Sequence, residues 1–409
     1  MKKIYIALLF LLHIGILFSQ EQKTIIGHIK DVQTGSPIAY ATVSYELVNT
    51  QGTISNDVGG FELFDVPLGT TIKINHLLYE TQSYTITNYD SIEINLAAAI
   101  LELPTAIADG KYAIQLAQKA LEKAIASEQI YSGKGFYRQL SKIDGQYTEA
   151  IESFVNIHFS NKKIESWEVI EGRYGKIKKE DMLRFTNFSY FSRGFPIYDN
   201  SKKRKKKKNI AYIALSKKLN EFDVQVDQFL QKANGQEIAI VHCIPKDKSA
   251  NKNSLFIESW HYIDTETYEI YKMKSIIPHP MGAKPSNPNF QIREPLYTFQ
   301  FTYKKDLERG MVLDFIQCNG NLSLYENEKF AYTVDVNSLF YCYAIFGATQ
   351  DTFGKTKKKI DDLDVASKAA YNPAFWEKHP ILKKTPLEKK VLDDFEAAGF
   401  FGNFLDNGN

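Results

Sequence analysis

The chain has 409 residues, 44% hydrophobic and 13% aromatic, with a formal net charge of +2. At ~100–200 residues per domain that is a folded protein of two domains, and the near-neutral balance argues against a dedicated nucleic-acid binder. Three cysteines are too few for a disulfide scaffold.

The N-terminus is tripartite: basic Met1-Lys2-Lys3, an apolar run from Ile4 to Phe18, then polar Ser19-Gln20-Glu21. This is the plan of a secretory signal over residues 1–20, cut within a residue or two of Gln20. The run is shorter than the about 20 residues of a membrane span. No cysteine follows it to take a lipid. An exported protein of the periplasm, outer membrane or cell surface is therefore expected.

Behind it, Ile25-Ile26-Gly27-His28-Ile29, Ala41-Thr42-Val43-Ser44 and Gly59-Gly60-Phe61-Glu62-Leu63 alternate apolar and polar residues. Thr34-Gly35-Ser36-Pro37 and Ser55-Asn56-Asp57 punctuate them, which predicts short strands joined by tight turns. These residues resemble the carboxypeptidase regulatory-like domain, a transthyretin-like sandwich, over about residues 24–96. The family's usual Gly before an aromatic is replaced by Leu78 beside Tyr79. The resemblance implies a docking or spacer module over 22–100. It carries no peptidase activity, because no His is followed by Glu at the zinc-binding spacing.

Residues 101–130 form a connector. Ile114, Leu116, Ala117, Ala120, Leu121, Ala124 and Ile125 lie on one helical stripe between Tyr112 and Ser127, predicting a helix packed on a sheet.

Residues 131–409 begin with long alternating runs. Ile143-Asp144-Gly145-Gln146 is a hairpin turn in which Asp-Gly supplies the positive φ. Val155, Ile157 and Phe159, then Tyr297, Phe299, Phe301 and Tyr303, then Phe330, Tyr332, Val334 and Val336 each mark a strand with one wet and one dry face. The expected architecture is mainly β: a sandwich, a connecting helix, then a curved antiparallel sheet or half-barrel closed by C-terminal helices. The segment Phe256 to Ile270, strand–Asp264-Thr265–strand, resembles the LolA-like half-barrels of periplasmic lipoprotein carriers. That resemblance implies an apolar pocket, for which Trp260, Tyr262, Tyr297 and Phe299 are the candidate lining. A packed interior without a cavity is the competing reading.

Lys202-Lys203-Arg204-Lys205-Lys206-Lys207-Lys208 cannot be buried and must be a solvated loop. Beyond solubility it could touch anionic lipid headgroups, as a peripheral membrane contact, or an acidic protein partner. Nucleic acid is not expected of an exported chain. Near the C-terminus, Asp361 to Ala370 can form a short helix before the aromatic anchor Phe375-Trp376. Thr385-Pro386-Leu387-Glu388 is a capping box with Pro at the first helical position, Leu387, Val391, Leu392 and Phe395 make its stripe, and Gly399 suits its C-terminal end.

Catalytic motifs for zinc hydrolases, nucleophile elbows, phosphate loops and Ca²⁺ loops are missing from the sequence. Cys243 beside His242 lacks further ligands at zinc spacing and reads as a core position. Cys318 and Cys342 either pair or stay two buried thiols. His261 with Asp264, and His158 with Glu152, are the imaginable acid/base pairs. No cofactor is implied. The expected function is non-catalytic binding of a hydrophobic or lipid-like ligand, or of an envelope protein partner. A hydrolase of envelope glycans or peptides and an adhesin-like structural role are the alternatives.

Overall fold

Period-two alternation governs most of the chain, and strands follow it. A computed structural model describes residues 23–46, 50–99, 101–102, 110–177, 195–200, 210–246, 254–278, 289–350, 371–378 and 383–401. The leader, the basic run and the expected helix over 361–370 lie outside the described residues.

Seven strands form the N-terminal unit: β1 (Lys23–Asp31), β2 (Thr42–Glu46), β3 (Thr50–Ile54), β4 (Gly60–Val66), β5 (Thr71–His76), β6 (Tyr79–Thr85) and β7 (Ile92–Leu96). β1 pairs antiparallel with β4 and parallel with β7, while β2 joins β3 to β5, and β5 joins β6. Alternate residues Ile25 and Ile29 of β1, Ile72 and Ile74 of β5 and Ile92 and Ile94 of β7 turn inward. With Val43 and Phe61 they fill the space between the two layers.

The chain then runs through β8 (Leu101–Glu102), α1 (Gly110–Ala126), β9 (Tyr131–Ile143), β10 (Gln146–Phe159), β11 (Ile164–Lys176), β12 (Ile210–Tyr212), β13 (Phe222–Gln231) and β14 (Glu237–Pro245). It continues with β15 (Ser254–Phe256), β16 (Glu258–Asp264), β17 (Ile270–Pro278), β18 (Phe290–Asp306), β19 (Gly310–Glu326), β20 (Lys329–Ala348), α2 (Pro373–Lys378) and α3 (Pro386–Ala397). Strands β13, β14, β16, β17, β18, β19, β20, β9, β10 and β11 lie side by side in one antiparallel sheet. It is large and mainly antiparallel, but it is open, not closed into a barrel. Long meandering strands suffice for this, because each hairpin brings the next strand alongside. At the Ile143–Gln146 hairpin, Asp144 and Gly145 have φ of 46° and 78°, the mirror-image turn that Asp-Gly permits.

The sandwich is built into this sheet. β19 pairs β20 as far as Tyr341, and beyond that β3 bonds to β20 at Ala344 and Ile345. Thr42 also donates a side-chain hydrogen bond to buried Asp314. One face of the sheet, here the inner face, is covered by α1 and by Ile197, Tyr198 and Ile213–Leu215. The opposite, outer face is partly covered by the sandwich and by α2 and α3.

The helix stripe is narrower than expected. Ala113, Leu116, Ala117, Ala120 and Ala124 are buried, but Ile114 and Ile125 are 38% and 40% exposed. The alanines allow a close approach to the sheet, and Leu116 and Leu121 pack beside them, while the flanking isoleucines stay exposed. The three cysteines are free thiols. Cys318 faces Ser338 on β20, while Cys342 lies four residues farther along that strand, beyond disulfide reach.

At the C-terminus the capping box forms as read. Thr385 Oγ1 accepts from Glu388 N at 3.1 Å, and Glu388 Oε2 accepts from Thr385 N at 2.8 Å. Gly399, at φ 64°, ends α3; its N–H bonds to Glu396 and that of Phe400 to Phe395, the reciprocal pair of a Schellman turn. Trp376 is buried against Phe154, Phe136 and Ile54. Thr385→Ala is expected to lower stability by about 1 kcal/mol, seen as a lower urea midpoint at unchanged m-value.

Candidate functional site

Strand register puts the four residues expected to share a pocket on two faces of the sheet, although Phe299 still lines the groove beside Trp260 and Tyr262. Trp260 pairs with Lys274, which pairs with Gln300; Tyr262 pairs with Lys272, which pairs with Thr302. Phe299 instead faces Ser275 and Cys318, and Tyr297 faces Ile277. Tyr297 and Phe299 are therefore on the inner face, 6% and 2% exposed, within the main apolar core. Phe195 stacks on Phe299 at 5.1 Å, so this surface is filled by the protein's own rings. Trp260 and Tyr262 are half-buried on the outer face.

There they flank a groove of about 540 Å³. Its apolar side is made by Trp260, Tyr262, Ile240 and Ile276; its polar side includes Lys274, Thr298, Gln300, Gln317 and Asn319. Leu77 of the sandwich packs against the small cluster of Leu230, Ile238, Ile240 and Tyr271, which Trp260 and Tyr262 also touch.

Trp260 is held from two directions. Its Nε1–H donates to Asp227 Oδ2 at 3.0 Å, and its ring stacks on His242 with centroids 4.2 Å apart. His242 is clamped in turn, Nδ1 lying 3.1 Å from Asp227 and Nε2 2.9 Å from Glu258. Gln225 donates to the other Asp227 oxygen at 2.8 Å. Alternation explains why His242 and Cys243 are not a ligand pair. Cys243 turns into the core, where burial pushes its thiol up to about 12, and His242 turns out. The Asp227–His242–Glu258 cluster spans β13, β14 and β16, and neither spacing nor motif announces it. Its one signal is that all three residues sit at outward positions of alternating strands.

Across β17 to β19 the floor is a polar row. Lys274 lies beside Gln300, whose Nε2 donates to Gln317 Oε1 at 3.0 Å. Lys274, Thr298 and Asn319 have no side-chain partner among the described residues. Lys272 lies under Tyr262, Nζ 5.5 Å from the ring centroid; burial, then the neighbouring Lys274, lowers its pKa to about 8.

The imagined acid/base pairs are not brought together. His261 is buried on the inner face, bonded to Ser259 Oγ at 3.0 Å. Asp264 instead caps its turn, accepting from Glu266 and Thr267 N–H and from Gln236 Nε2. Thr265 donates to Glu237 O. His158 bonds to Ser166, six residues along β10 from Glu152.

Glu152 belongs to a different cluster. It pairs across strands with Arg138 on β9 and Arg173 on β11, accepting from Arg138 Nε at 2.6 Å and Arg173 Nε at 2.7 Å. Glu388 and Glu396 of α3 approach the same arginines at 3.7 and 3.5 Å. Burial opposes ionisation of Glu152, but the Arg173 and Arg138 guanidiniums outweigh it and hold its pKa at about 2. This row seats α3 on the sheet. It borders a cleft of about 740 Å³ between sandwich and C-terminal helices, in which Lys389 pairs with Asp393 and Arg173 with Glu152.

Among the described residues no group of three or more His, Cys, Asp or Glu is arranged to hold a metal. None of their helices is long and apolar enough to cross a membrane. Lys202, Lys203, Arg204, Lys205, Lys206, Lys207 and Lys208 lie outside the described residues.

No protein-family model matches the chain, and no curated protein does either. The regulatory-like and half-barrel resemblances are thus matched by no family model. Among solved structures the chain is similar to a DUF1329 family protein from Desulfovibrio piger, with 7% identity over 56% of this chain and 93% of that one, TM-score 0.20. It is also similar to a "putative membrane-associated protein of unknown function" from Bacteroides fragilis, with 11% identity over 80% of this chain and 99% of that one, TM-score 0.15. At such TM-scores neither likeness transfers a site to this chain.

Proposed function

We propose a non-catalytic binding protein of the cell envelope that holds an amphipathic ligand in the outer-face groove, beside a regulatory-like sandwich built into the same sheet. One observation carries the reading: Trp260 is fixed by Asp227 and His242 at the side of an open groove whose opposite side offers uncommitted polar groups. Pockets that bind small molecules combine such a rigid aromatic with a few placed polar atoms. The leader plan and the sandwich pattern support export. A purely lipid-filled interior has less support, because Phe195, Phe299 and Phe301 occupy the inner face. A hydrolase has less support too, since Asp227 and Glu258 are both engaged by His242.

Native mass spectrometry of the protein taken from its own envelope tests the reading. A bound small molecule is expected on the wild type and about tenfold less on Trp260→Ala, a loss of about 1.4 kcal/mol. A wild type that is always empty, or a ligand indifferent to Trp260, overturns it.

The basic run over 202–208 is proposed as a peripheral contact with anionic membrane, worth on the order of 1 kcal/mol per cation near such a surface. Changing all seven to Ser should abolish sedimentation with phosphatidylglycerol vesicles at low salt. Unchanged sedimentation removes the membrane contact.

A further inference from the structure

We infer that the groove takes a short acidic oligosaccharide, an assignment that rests on the binding reading above and narrows its ligand class. The first ground is the mixture of surfaces. A pyranose ring has an apolar C–H face and an equator of hydroxyls, each both donor and acceptor. The groove matches that division, with Trp260 and Tyr262 on one side and the hydroxyl and amides of Thr298, Gln300 and Asn319 on the other.

The second ground is rigidity. Trp260 has one face backed by His242 and its N–H tied to Asp227, so the indole is oriented before any ligand arrives. Little ordering is left for binding to impose.

The third ground is extent and charge. From Trp260 on β16 to Gln317 on β19 the floor crosses three strand spacings, roughly 14 Å, which suits several linked rings better than one. In the middle of that span stands Lys274, exposed and in no ion pair among the described residues, while the groove's carboxylate, Asp227, is held by Trp260 and His242. A sugar carboxylate would complete a charge-assisted hydrogen bond there.

Other occupants fit less well. An acyl chain laid on this floor would bury the Gln300, Gln317 and Asn319 amides, at about 1–3 kcal/mol for each polar group left unpaired. A peptide strand needs a free sheet edge, and the floor is the interior of the sheet.

Calorimetric titration of the full chain tests the assignment, using tetragalacturonate, cellotetraose and lauric acid as probes. Tetragalacturonate is expected to bind at least tenfold more tightly than cellotetraose. Lys274→Gln should remove that preference, bringing the two sugars to within about twofold of each other, and Gln300→Ala should weaken both sugars. Equal binding of the two sugars, unaltered by Lys274→Gln, overturns the acidic assignment. Trp260-dependent binding of lauric acid alone overturns the sugar and leaves the binding reading standing. If none of the three binds, the sugar assignment falls; should the envelope-purified protein also be empty, the binding reading falls with it.

Discussion

Glu152→Ala is expected to destabilise the protein by about 3–5 kcal/mol, the cost of leaving buried charge uncompensated. The side chains of Glu152, Arg138 and Arg173 are only 2%, 5% and 5% exposed, so water cannot replace the lost carboxylate. Glu388 and Glu396 remain, but they lie 3.7 and 3.5 Å from their arginines and are themselves partly exposed. Because α3 is seated by this row, the loss should begin at the C-terminus. Hydrogen exchange of α3 should accelerate before global unfolding, and the urea midpoint should fall. A variant that keeps the wild-type midpoint and α3 protection would show that the row is not what holds the helix. Replacing all three by apolar residues of similar volume is a useful contrast, since a buried ion cluster often adds little over good packing.

The second large effect is acid sensitivity. His261 is buried on the inner face between Val241 and Met273 of the neighbouring strands, and burial lowers its pKa from 6.5 to about 3. A folded-state pKa below the unfolded one means that the unfolded chain binds the proton first. Stability is therefore complete above pH 6.5 and declines as pH falls toward 3, by on the order of 5 kcal/mol once fully developed. His76 adds to the same trend: burial, then Lys272 and Lys232, lower it to about 4. Glu152 contributes in a lower window, its stabilisation present above pH 4.5 and lost as pH approaches 2. Urea midpoints at steps between pH 7 and 4 should fall in wild type and fall less in His261→Gln. Identical slopes for the two would remove His261 as the cause.

What could be read in the residues follows from how local each signal is. The Asp144-Gly145 turn, the Thr385 capping box and the Gly399 terminus are decided within a few residues, and each forms as its pattern requires. The α1 stripe has the right place and period, but only packing shows that its alanine row is what touches the sheet. The mainly antiparallel β class follows from period-two alternation, which repeats along most of the chain.

The groove was only half legible. Trp260 and Tyr262 stand out as aromatics, yet grouping them with Tyr297 and Phe299 required knowing how β16, β17 and β18 are staggered. A shift of one residue exchanges the faces of a strand, and no single strand carries that information. Asp227, His242 and Glu258 meet only because β13, β14 and β16 are neighbours, and Arg138, Glu152 and Arg173 only because β9, β10 and β11 are.

The sequence by itself therefore determined the mainly β class, the Asp144-Gly145 turn and the ends of α3, and that the alternating runs it marks have a wet and a dry side. Only the tertiary structure decided which dry sides meet, that the sandwich runs into the large sheet through β3 and β20, and which side chains stand across from one another. The reason is physical: turns and caps are settled by bonds between residues a few positions apart. A binding surface on a sheet is settled by register between strands that the chain brings together from far along its length.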